Sequence, residues 1–222
     1  IQVISYFLHD FARRHGAQCP VTVVPNGVAF VRKATLNARP TIPTIITVSR
    51  LVHKNGVDVL IRAAQLLRNH LAQPFRVRIV GDGPDREALQ QLARELHVQD
   101  IVEFVGAVPP DQVVLYLTGA YVFVRASRSE GLGNAFLEAM AVGLPIIGTN
   151  VGGIPDFLHD GETGLFCAVD DAVDLSKKLA RLILEPDLRC RLVERGIALV
   201  EKEYAWDGIS GKMRDIFRSV IV

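Results

Sequence analysis

The alternation of two kinds of segment along the chain is the feature that most constrains its fold. Between residues 44 and 167, short runs of apolar and β-branched residues alternate with longer segments of helical composition. The runs that predict strands are TIITVS, RVRIVG, IVEFVG, YVFVRAS, PIIGT and GLFC. Strands that alternate with helices form parallel βαβ units. The sequence therefore predicts an α/β fold with a doubly wound, Rossmann-like parallel sheet, and its 49% hydrophobic residues supply the core.

The same pattern predicts three parts of the chain. Residues 1–38 contain IQVISYFLHDFARRHG, a predicted strand and helix with nothing directly after them to build a sheet, and then VTVVPNGV and a linker-like stretch. Residues 39–205 contain the predicted sheet and its helices, and residues 206–222 form a last helix. Because the chain begins at Ile1, inside a strand-like run and without Met, we expect residues 1–38 to be the tail and linker of a preceding amino-terminal domain.

Charge and composition argue against several functions. The formal net charge of +1 gives no global field for nucleic acid. No window approaches the ~18 consecutive apolar residues of a membrane helix. The three cysteines are widely spaced and form no CxxC pair, which is typical of reduced thiols in a cytoplasmic protein. The histidines show no HExxH spacing, so no metal is expected.

Four turns follow predicted strands, at the edge where open α/β sheets bind ligands: SRLVHKNG, GDGP, SRSEGLGN and TNVGGIPD. Glycine lets the backbone approach a ligand closely, and Gly81, Gly83, Gly131 and Gly133 lie in these turns. GDGPDR does not match the dinucleotide fingerprint GxGxxG. EGLGN leads into a helix amino terminus, where free N–H groups and the helix dipole favour a phosphate. The turns thus predict an anionic ligand.

Basic and acidic side chains occur together in these turns. Arg50 and Lys54 follow the first strand of the sheet and can reach a phosphate. Glu130 and Glu138 would repel phosphate, whereas an ionised carboxylate accepts two hydrogen bonds from a vicinal diol. Phosphate and diols together indicate a nucleotide or a nucleotide sugar. Asn134 either caps the following helix or contacts this ligand, and the two interpretations are compatible.

Longer motifs then resemble a known family. SRLVHKNGVDVLI, IVGDGP, VEFVGAVP, SEGLGNAFLEAMAVGLPII and VGGIPDFLHDGETGLF occur in this order. Together they resemble the donor-binding domain of retaining glycosyltransferases of family 4, which have the two-domain GT-B fold. VVPNGV resembles the segment that leads into that domain, and YAWDGISGKM resembles the last helix, which in the family crosses back to the other domain. The chain is accordingly identified as the C-terminal half of a GT-B enzyme.

The resemblance implies roles for individual residues. Glu130 would bond hydroxyls of the transferred sugar, Glu138 would accept from the ribose diol, and Arg50 would hold the diphosphate leaving group. With Lys54, Glu130 and Arg50 are the predicted catalytic residues. The predicted donor-binding residues are Asn55, Gly81, Gly83, Gly131, Leu132, Gly133, Asn134 and Glu138. The implied reaction transfers a glycosyl unit from a nucleotide-diphosphate sugar with retention at the anomeric carbon and without a metal cofactor.

The chain departs from the family pattern in two motifs, first in Arg-Leu-x-x-x-Lys-Gly and then in the turn SEGLGN. Asn55 stands directly before Gly56, where the family has lysine, and Lys54 comes one position earlier. Either Lys54 reaches the phosphate, or Asn55 donates one neutral hydrogen bond while Lys54 points to solvent; the first is preferred, because a lysine stem spans several ångströms. The family also often has an aromatic residue at the position of Leu132 and an aliphatic one at that of Asn134.

Two other functions remain as alternatives. A non-catalytic relative could bind a nucleotide sugar without turnover, and nucleotide-sugar epimerases share the GT-B layout. For the transferase, the acceptor would be a saccharide or glycolipid held by an amino-terminal domain, so the isolated chain is expected to be inactive and to offer an apolar surface that can support a dimer. The expected location is cytoplasmic, with a peripheral position at a membrane for a longer protein. The sequence leaves the base and the sugar open.

Overall fold

The computed structural model describes residues 1–29 and 42–220, with side chains described as far as residue 218. Within these ranges the chain forms a two-stranded sheet near its start and a six-stranded parallel sheet after residue 42. The predicted domain boundary near residue 38 and the linker around it lie outside the described residues.

The six-stranded sheet has the strand order β5-β4-β3-β6-β7-β8, and every neighbouring pair is parallel. Its strands are β3 (Thr44–Val48), β4 (Arg76–Val80), β5 (Val102–Gly106), β6 (Val122–Arg125), β7 (Ile146–Thr149) and β8 (Leu165–Cys167). The chain builds outward from β3 in one direction through β4 and β5, and then returns to the other side of β3 with β6. The predicted doubly wound sheet is therefore present.

Helices cover both faces of this sheet. They are α2 (Val57–His70), α3 (Arg86–Glu95), α4 (Pro110–Thr118), α5 (Asn134–Ala141), α6 (Ala172–Leu184), α7 (Pro186–Glu203) and α8 (Trp206–Val220). Alternate residues of a strand point to opposite faces, and Ile45 and Ile46 accordingly belong to two different apolar clusters. The first cluster contains α2, α3 and α6, and the second contains α4 and α5. This double cover explains why the central strands are apolar throughout.

One detail differs from the sequence prediction. Near the start of the chain, β1 (Gln2–Val3) is followed by the helix α1 (Tyr6–Arg14), and β1 pairs in parallel with β2 (Thr22–Val23). The first strand thus has a partner, which lies in the VTVV run.

The amino-terminal segment packs against the end of the larger domain. The backbone N–H of Tyr6 donates to Asp156 Oδ2 at 2.8 Å, and the N–H of Val28 donates to the carbonyl of Tyr204 at 2.9 Å. A Cβ at Gly27 would lie 2.5 Å from the Trp206 ring, so the first part of the chain and the start of α8 are in close contact. None of the described helices is both long and apolar enough to cross a membrane.

Candidate functional site

The site lies where the chain reverses its direction across the sheet. The strands β3 and β6 are neighbours, and each is followed by a loop at the carboxyl edge. In open parallel sheets this reversal opens a crevice outside the strand ends, and ligands bind there. Arg50, Lys54 and Asn55 lie in the loop after β3, and Glu130 lies in the loop after β6, so the fold brings these predicted residues to one edge.

The two loops are packed directly on each other. Gly56 has a left-handed φ of +66°, and a Cβ there would lie 1.8 Å from the carbonyl oxygen of Ala126. The backbone N–H of Arg128 donates to the carbonyl of Lys54 at 2.7 Å. Only glycine allows this approach, which fixes the loop after β3 against the loop after β6. The side chains of Arg50 and Lys54 remain exposed at the surface of the contact.

Asn55 is turned into the protein. It is 3% exposed, its Nδ2 donates to the carbonyl of Arg50 at 2.6 Å, and its Oδ1 accepts from Arg125 Nη2 at 2.9 Å. Both ends of its amide are therefore engaged with protein groups. Lys54, in the same short helical turn, is exposed to solvent.

Arg125, the last residue of β6, forms an ion pair with Glu130. Arg125 Nη2 lies 2.5 Å from Glu130 Oε2, and the two side chains are only 11% and 12% exposed. Burial lowers the pKa of Arg125, and the nearby Glu130 carboxylate opposes that shift. The other oxygen of Glu130, Oε1, accepts from the backbone N–H of Gly131 at 3.0 Å. Glu130 is thus hydrogen-bonded at Oε1, whereas its buried Oε2 makes only the ion pair with Arg125 and no hydrogen bond to a described residue.

The helix α5 begins directly after the glycine turn. Gly133, with φ +93°, is the N-cap, and no side chain caps the helix. The prediction that Asn134 caps this helix is wrong, because Asn134 is the first helical residue and its Oδ1 accepts from Asn26 Nδ2 at 3.1 Å. The first N–H groups of α5 are therefore without a side-chain cap. Leu132 is 1% exposed and contributes its side chain to the core.

Two glycines in the loop after β7 pack directly against the backbone of the Glu130 turn. A Cβ on Gly152, which has φ +56°, would lie 1.7 Å from the carbonyl oxygen of Glu130. A Cβ on Gly153 would lie 2.2 Å from the carbonyl oxygen of Gly131, and the N–H of Gly153 donates to the Glu130 carbonyl at 3.2 Å. The absence of side chains at these two positions determines where Glu130 stands.

Gly81 and Gly83 have a similar role beside β3. A Cβ on Gly81 would lie 1.9 Å from the carbonyl oxygen of Ser49, and a Cβ on Gly83 would lie 2.3 Å from that of Leu51. The N–H of Leu51 also donates to the carbonyl of Asp82 at 2.9 Å. Both glycines thus allow the loop after β4 to pack on the loop that carries Arg50.

Glu138 lies one helical turn further into α5 and faces a cavity. The cavity has a volume of 470 Å³, and its lining includes Asn26, Asn134, Val113 and Trp206 beside Glu138. Burial raises the pKa of the Glu138 carboxyl above its ordinary value of 4.5. A separate cavity of 390 Å³ between α2 and α3 has none of the predicted site residues in its lining.

Replacing Glu138 with Gln is expected to stabilise the ligand-free protein at neutral pH. A folded pKa above the unfolded value of 4.5 means that protonation favours the fold, so stability from this group is full below about pH 4.5 and is lost as the pH rises through the folded pKa. Glutamine is neutral at every pH. At about pH 7 the variant should therefore have a higher melting temperature than the wild type, and this difference in melting temperature should be smaller at about pH 4. A variant that melts lower than the wild type at both pH values would contradict this.

Two arginines near Glu130 were not singled out by the sequence reasoning. Arg128 donates to both Asp58 oxygens at 2.9 and 2.8 Å, to the carbonyl of His53 at 2.5 Å, and pairs with Asp170 at 2.6 Å. Burial alone would raise the pKa of Asp58, but Arg128 holds that pKa below its ordinary value. Arg128 thus ties three loops together. The signal for both arginines was their place in the stretch RASRSE beside Glu130.

The structure therefore packs the loop that carries Arg50, Lys54 and Asn55 against the loop that carries Glu130, and Glu138 lines a cavity beside α5. Gly81 and Gly83 support this arrangement from the loop after β4. In the part of the chain that the structure describes, no cluster of histidine, cysteine, aspartate and glutamate could hold a metal ion.

Together, the parallel strand order and the helices on both faces define a doubly wound α/β domain. The family model for glycosyl transferases group 1 matches residues 32–198. The chain belongs to this family, whose type is family 4 with the GT-B fold.

Similar proteins support this assignment. The GDP-mannose-dependent alpha-(1-6)-phosphatidylinositol monomannoside mannosyltransferase of Mycobacterium tuberculosis is 32% identical over 233 residues, which cover 97% of this chain and 60% of that protein. The D-inositol 3-phosphate glycosyltransferase of Acidothermus cellulolyticus is 36% identical over 77% of this chain and 40% of that protein. The chain thus spans about 60% of the length of the mycobacterial relative.

Solved structures agree on the fold. Sucrose-phosphate synthase from Thermosynechococcus elongatus superposes with a TM-score of 0.87 at 26% identity, over 99% of this chain and 57% of that one. The Anabaena protein HepE, solved in complex with UDP and glucose, has a TM-score of 0.87 at 16% identity and covers 98% of this chain and 62% of its own. These neighbours are GT-B glycosyltransferases, and they confirm the predicted α/β fold with its parallel sheet.

Proposed function

We propose that this chain binds a nucleotide-diphosphate sugar and forms the donor half of a retaining glycosyltransferase. The observation that carries the proposal is the meeting of the Arg50–Lys54 loop with the Glu130 turn, beside the uncapped start of α5. A cationic loop, free helical N–H groups and a carboxylate at one point match a ligand that has both phosphate and hydroxyl groups.

The diphosphate is assigned to the loop after β3. Arg50 and Lys54 are exposed there and project from a backbone that Gly56 holds against β6. Lys54 is preferred over Asn55 as the phosphate contact, because the Asn55 amide is already hydrogen-bonded to Arg50 and Arg125. Charge that develops on the departing diphosphate would be stabilised by these cations and by the N–H groups of Leu132, of Gly133 and of the start of α5, with no metal required.

The hydroxyl groups of the donor are assigned to the two glutamates. Glu138 faces the 470 Å³ cavity next to α5, and we place the nucleoside there with its ribose diol on the carboxylate. Glu130 stands at the turn beside the phosphate site, and we assign it to hydroxyls of the transferred sugar. Its carboxylate is held by Arg125 and by the N–H of Gly131, which suits orientation of a substrate and not attack as a nucleophile.

In this proposal, acceptor binding and glycosyl transfer require a larger protein that also contains an amino-terminal domain. The acceptor is a saccharide or glycolipid that an amino-terminal domain recognises, and the chain alone binds the donor with little or no transfer. Exposed aromatic side chains such as Tyr6, Phe11 and Trp206 form surface that could meet such a domain or a second copy. We also propose a cytoplasmic location, peripheral to a membrane where the acceptor is a glycolipid.

A nucleotide panel tests donor binding directly. Melting temperatures are measured with UDP, GDP, ADP and their glucose, N-acetylglucosamine, mannose and galactose conjugates. A ligand at ~100 times its Kd stabilises the native state by ~2.7 kcal/mol, which shifts the melting temperature measurably. GDP-mannose is tested first, because the mycobacterial relative is named for it. A shift with one base and its conjugates would support the proposal, and no shift with the whole panel would oppose it.

Arg50→Ala is expected to weaken binding of the nucleoside diphosphate. Loss of a hydrogen bond to a charged group costs about 1.5–3 kcal/mol, which corresponds to about 10–100-fold in Kd. The control is Arg62→Ala, since Arg62 is an exposed arginine of α2 that lines the separate cavity between α2 and α3. Titration calorimetry with the best nucleotide of the panel gives both values. Equal affinities for the two variants would remove Arg50 from the diphosphate site.

A further inference from the structure

A buried chain of contacts links the two loops of the site. It runs from the carbonyl of Arg50 through the amide of Asn55 to Arg125, and from Arg125 to Glu130 and the N–H of Gly131. Arg125 Nη2 serves both partners, at 2.9 Å from Asn55 Oδ1 and 2.5 Å from Glu130 Oε2. Arg125 Nε is buried and makes no hydrogen bond to any residue that the structure describes.

The neutral amide of Asn55 is suited to the charged guanidinium of Arg125. The Asn55 amide is oriented by donation to the Arg50 carbonyl, and its oxygen therefore points at the guanidinium of Arg125. A lysine at position 55, as in the family pattern, would bring an ammonium toward this guanidinium in a poorly solvated place, where like charges repel strongly. The space between residues 55 and 125 thus has room for one cation. That cation is Arg125, at the end of β6, and not a lysine in the loop after β3.

The position of this cation matters because Glu130 is an anion beside a phosphate site. A nearly buried carboxylate without a counterion would repel the diphosphate of a donor that binds at the Arg50 loop. Arg125 is the group that balances it, since its guanidinium lies against Glu130 Oε2. The second oxygen is fixed by the N–H of Gly131, so the carboxylate keeps one orientation.

We propose that Arg125 is a positioning residue, which fixes Glu130 and cancels its negative charge so that a diphosphate can bind beside the carboxylate. Arg125 thereby supplies the positive charge that residue 55, an asparagine, does not. This inference rests on the proposed function. It assigns the electrostatic role of the usual loop lysine to a strand residue, and it makes Asn55, Arg125 and Glu130 one unit.

The test measures the Kd of UDP and of GDP by titration calorimetry. Arg125→Met is expected to weaken binding about 10–100-fold, as for loss of one charged contact. Arg125→Lys keeps the charge and should recover most of that loss. Adding Glu130→Gln to Arg125→Met should also recover it, because the repelling charge is then gone and these probes carry no sugar for Glu130 to hold. A purely structural arginine would give no recovery of affinity in that double variant.

A second pair of variants tests the link to position 55. Asn55→Lys alone should weaken binding, because it brings a cation against Arg125, whereas Asn55→Lys combined with Arg125→Met should restore it. The matched control is Arg78→Met. Arg78 lies in the middle of β4 and pairs with Glu103 at 2.8 Å, away from the loops, so UDP and GDP should bind this variant as they bind the wild type.

The outcomes separate the two proposals. Suppose that the wild type binds nucleotide. If Arg125→Met then binds with unchanged Kd, or if neither double variant recovers the affinity that Arg125→Met loses, the role of Arg125 is overturned and the proposed donor site is unaffected. A wild type that binds no member of the nucleotide panel would overturn both. Should Arg125→Met fail to fold, the Asn55→Lys single variant and the Arg125→Lys variant supply the comparison, and equal Kd values for Asn55→Lys and the wild type would then contradict the inference.

Discussion

Gly152→Ala is expected to destabilise the protein by about 2–5 kcal/mol and to abolish measurable donor binding. The φ of Gly152 is +56°, where an L side chain costs roughly 1–2 kcal/mol. Its new Cβ would also lie 1.7 Å from the carbonyl oxygen of Glu130, so the Glu130 turn must move, at an overpacking cost of about 1–3 kcal/mol. Urea unfolding measures the first effect, and titration with the best nucleotide of the panel measures the second.

Gly161→Ala is the matched control for that experiment. Gly161 also has a left-handed φ, of +74°, but nothing lies within 4 Å of a Cβ at this position. Its variant should lose only the roughly 1–2 kcal/mol of the backbone term and should bind nucleotide normally. The difference between the two variants isolates the collision with Glu130. Two variants of equal stability and equal affinity would show that the Glu130 turn does not depend on Gly152.

Phe136→Ala is expected to lower the free energy of unfolding by about 3–5 kcal/mol. Phe136 is fully buried, and its ring packs against those of Phe123 and Phe157 at centroid distances of 5.0 and 5.5 Å. It joins the first turn of α5 to β6 and to the segment after β7, so its loss leaves a cavity directly below the glycine turn. Chemical denaturation measures the loss.

Phe217→Ala is the control for the core substitution. Phe217 lies on α8 and is 57% exposed, so its variant should stay within about 0.5 kcal/mol of the wild type. Nucleotide affinity of Phe136→Ala, measured well below its melting temperature, should fall as well, because α5 carries both Glu138 and the free N–H groups. A Phe136→Ala protein as stable as Phe217→Ala would contradict the packing described for α5.

The fold was predictable where local signals and burial agree. The helix α7, Pro186–Glu203, is one example, because a proline at its first position and a periodic apolar stripe both mark it in the sequence. The parallel sheet followed from the alternation of strands and helices. The pairing of β1 with β2 was missed, since two-residue strands carry too little pattern to identify a partner.

The site was predictable as a set of turns and not as a network of contacts. The strand ends placed Arg50 and Glu130 at the same edge, because carboxyl ends of parallel strands meet there. Arg125 reads as an ordinary strand residue in YVFVRAS, and its burial follows only once β6 lies beside β3. The orientation of Asn55 and the contact of Asn134 with Asn26 depend on neighbours 70 and 108 residues away, which no local pattern encodes.

The place of β3 at the centre of the sheet also has a consequence during protein synthesis. β3 ends at Val48, and its second neighbour β6 begins only at Val122. Roughly 70 residues separate the two, so a ribosome that adds about 5–20 residues per second leaves one side of the apolar strand TIITV unpaired for about 4–14 s. An unpaired apolar strand edge is a template for aggregation. During that interval the strand offers a binding segment to a chaperone that recognises extended apolar chains.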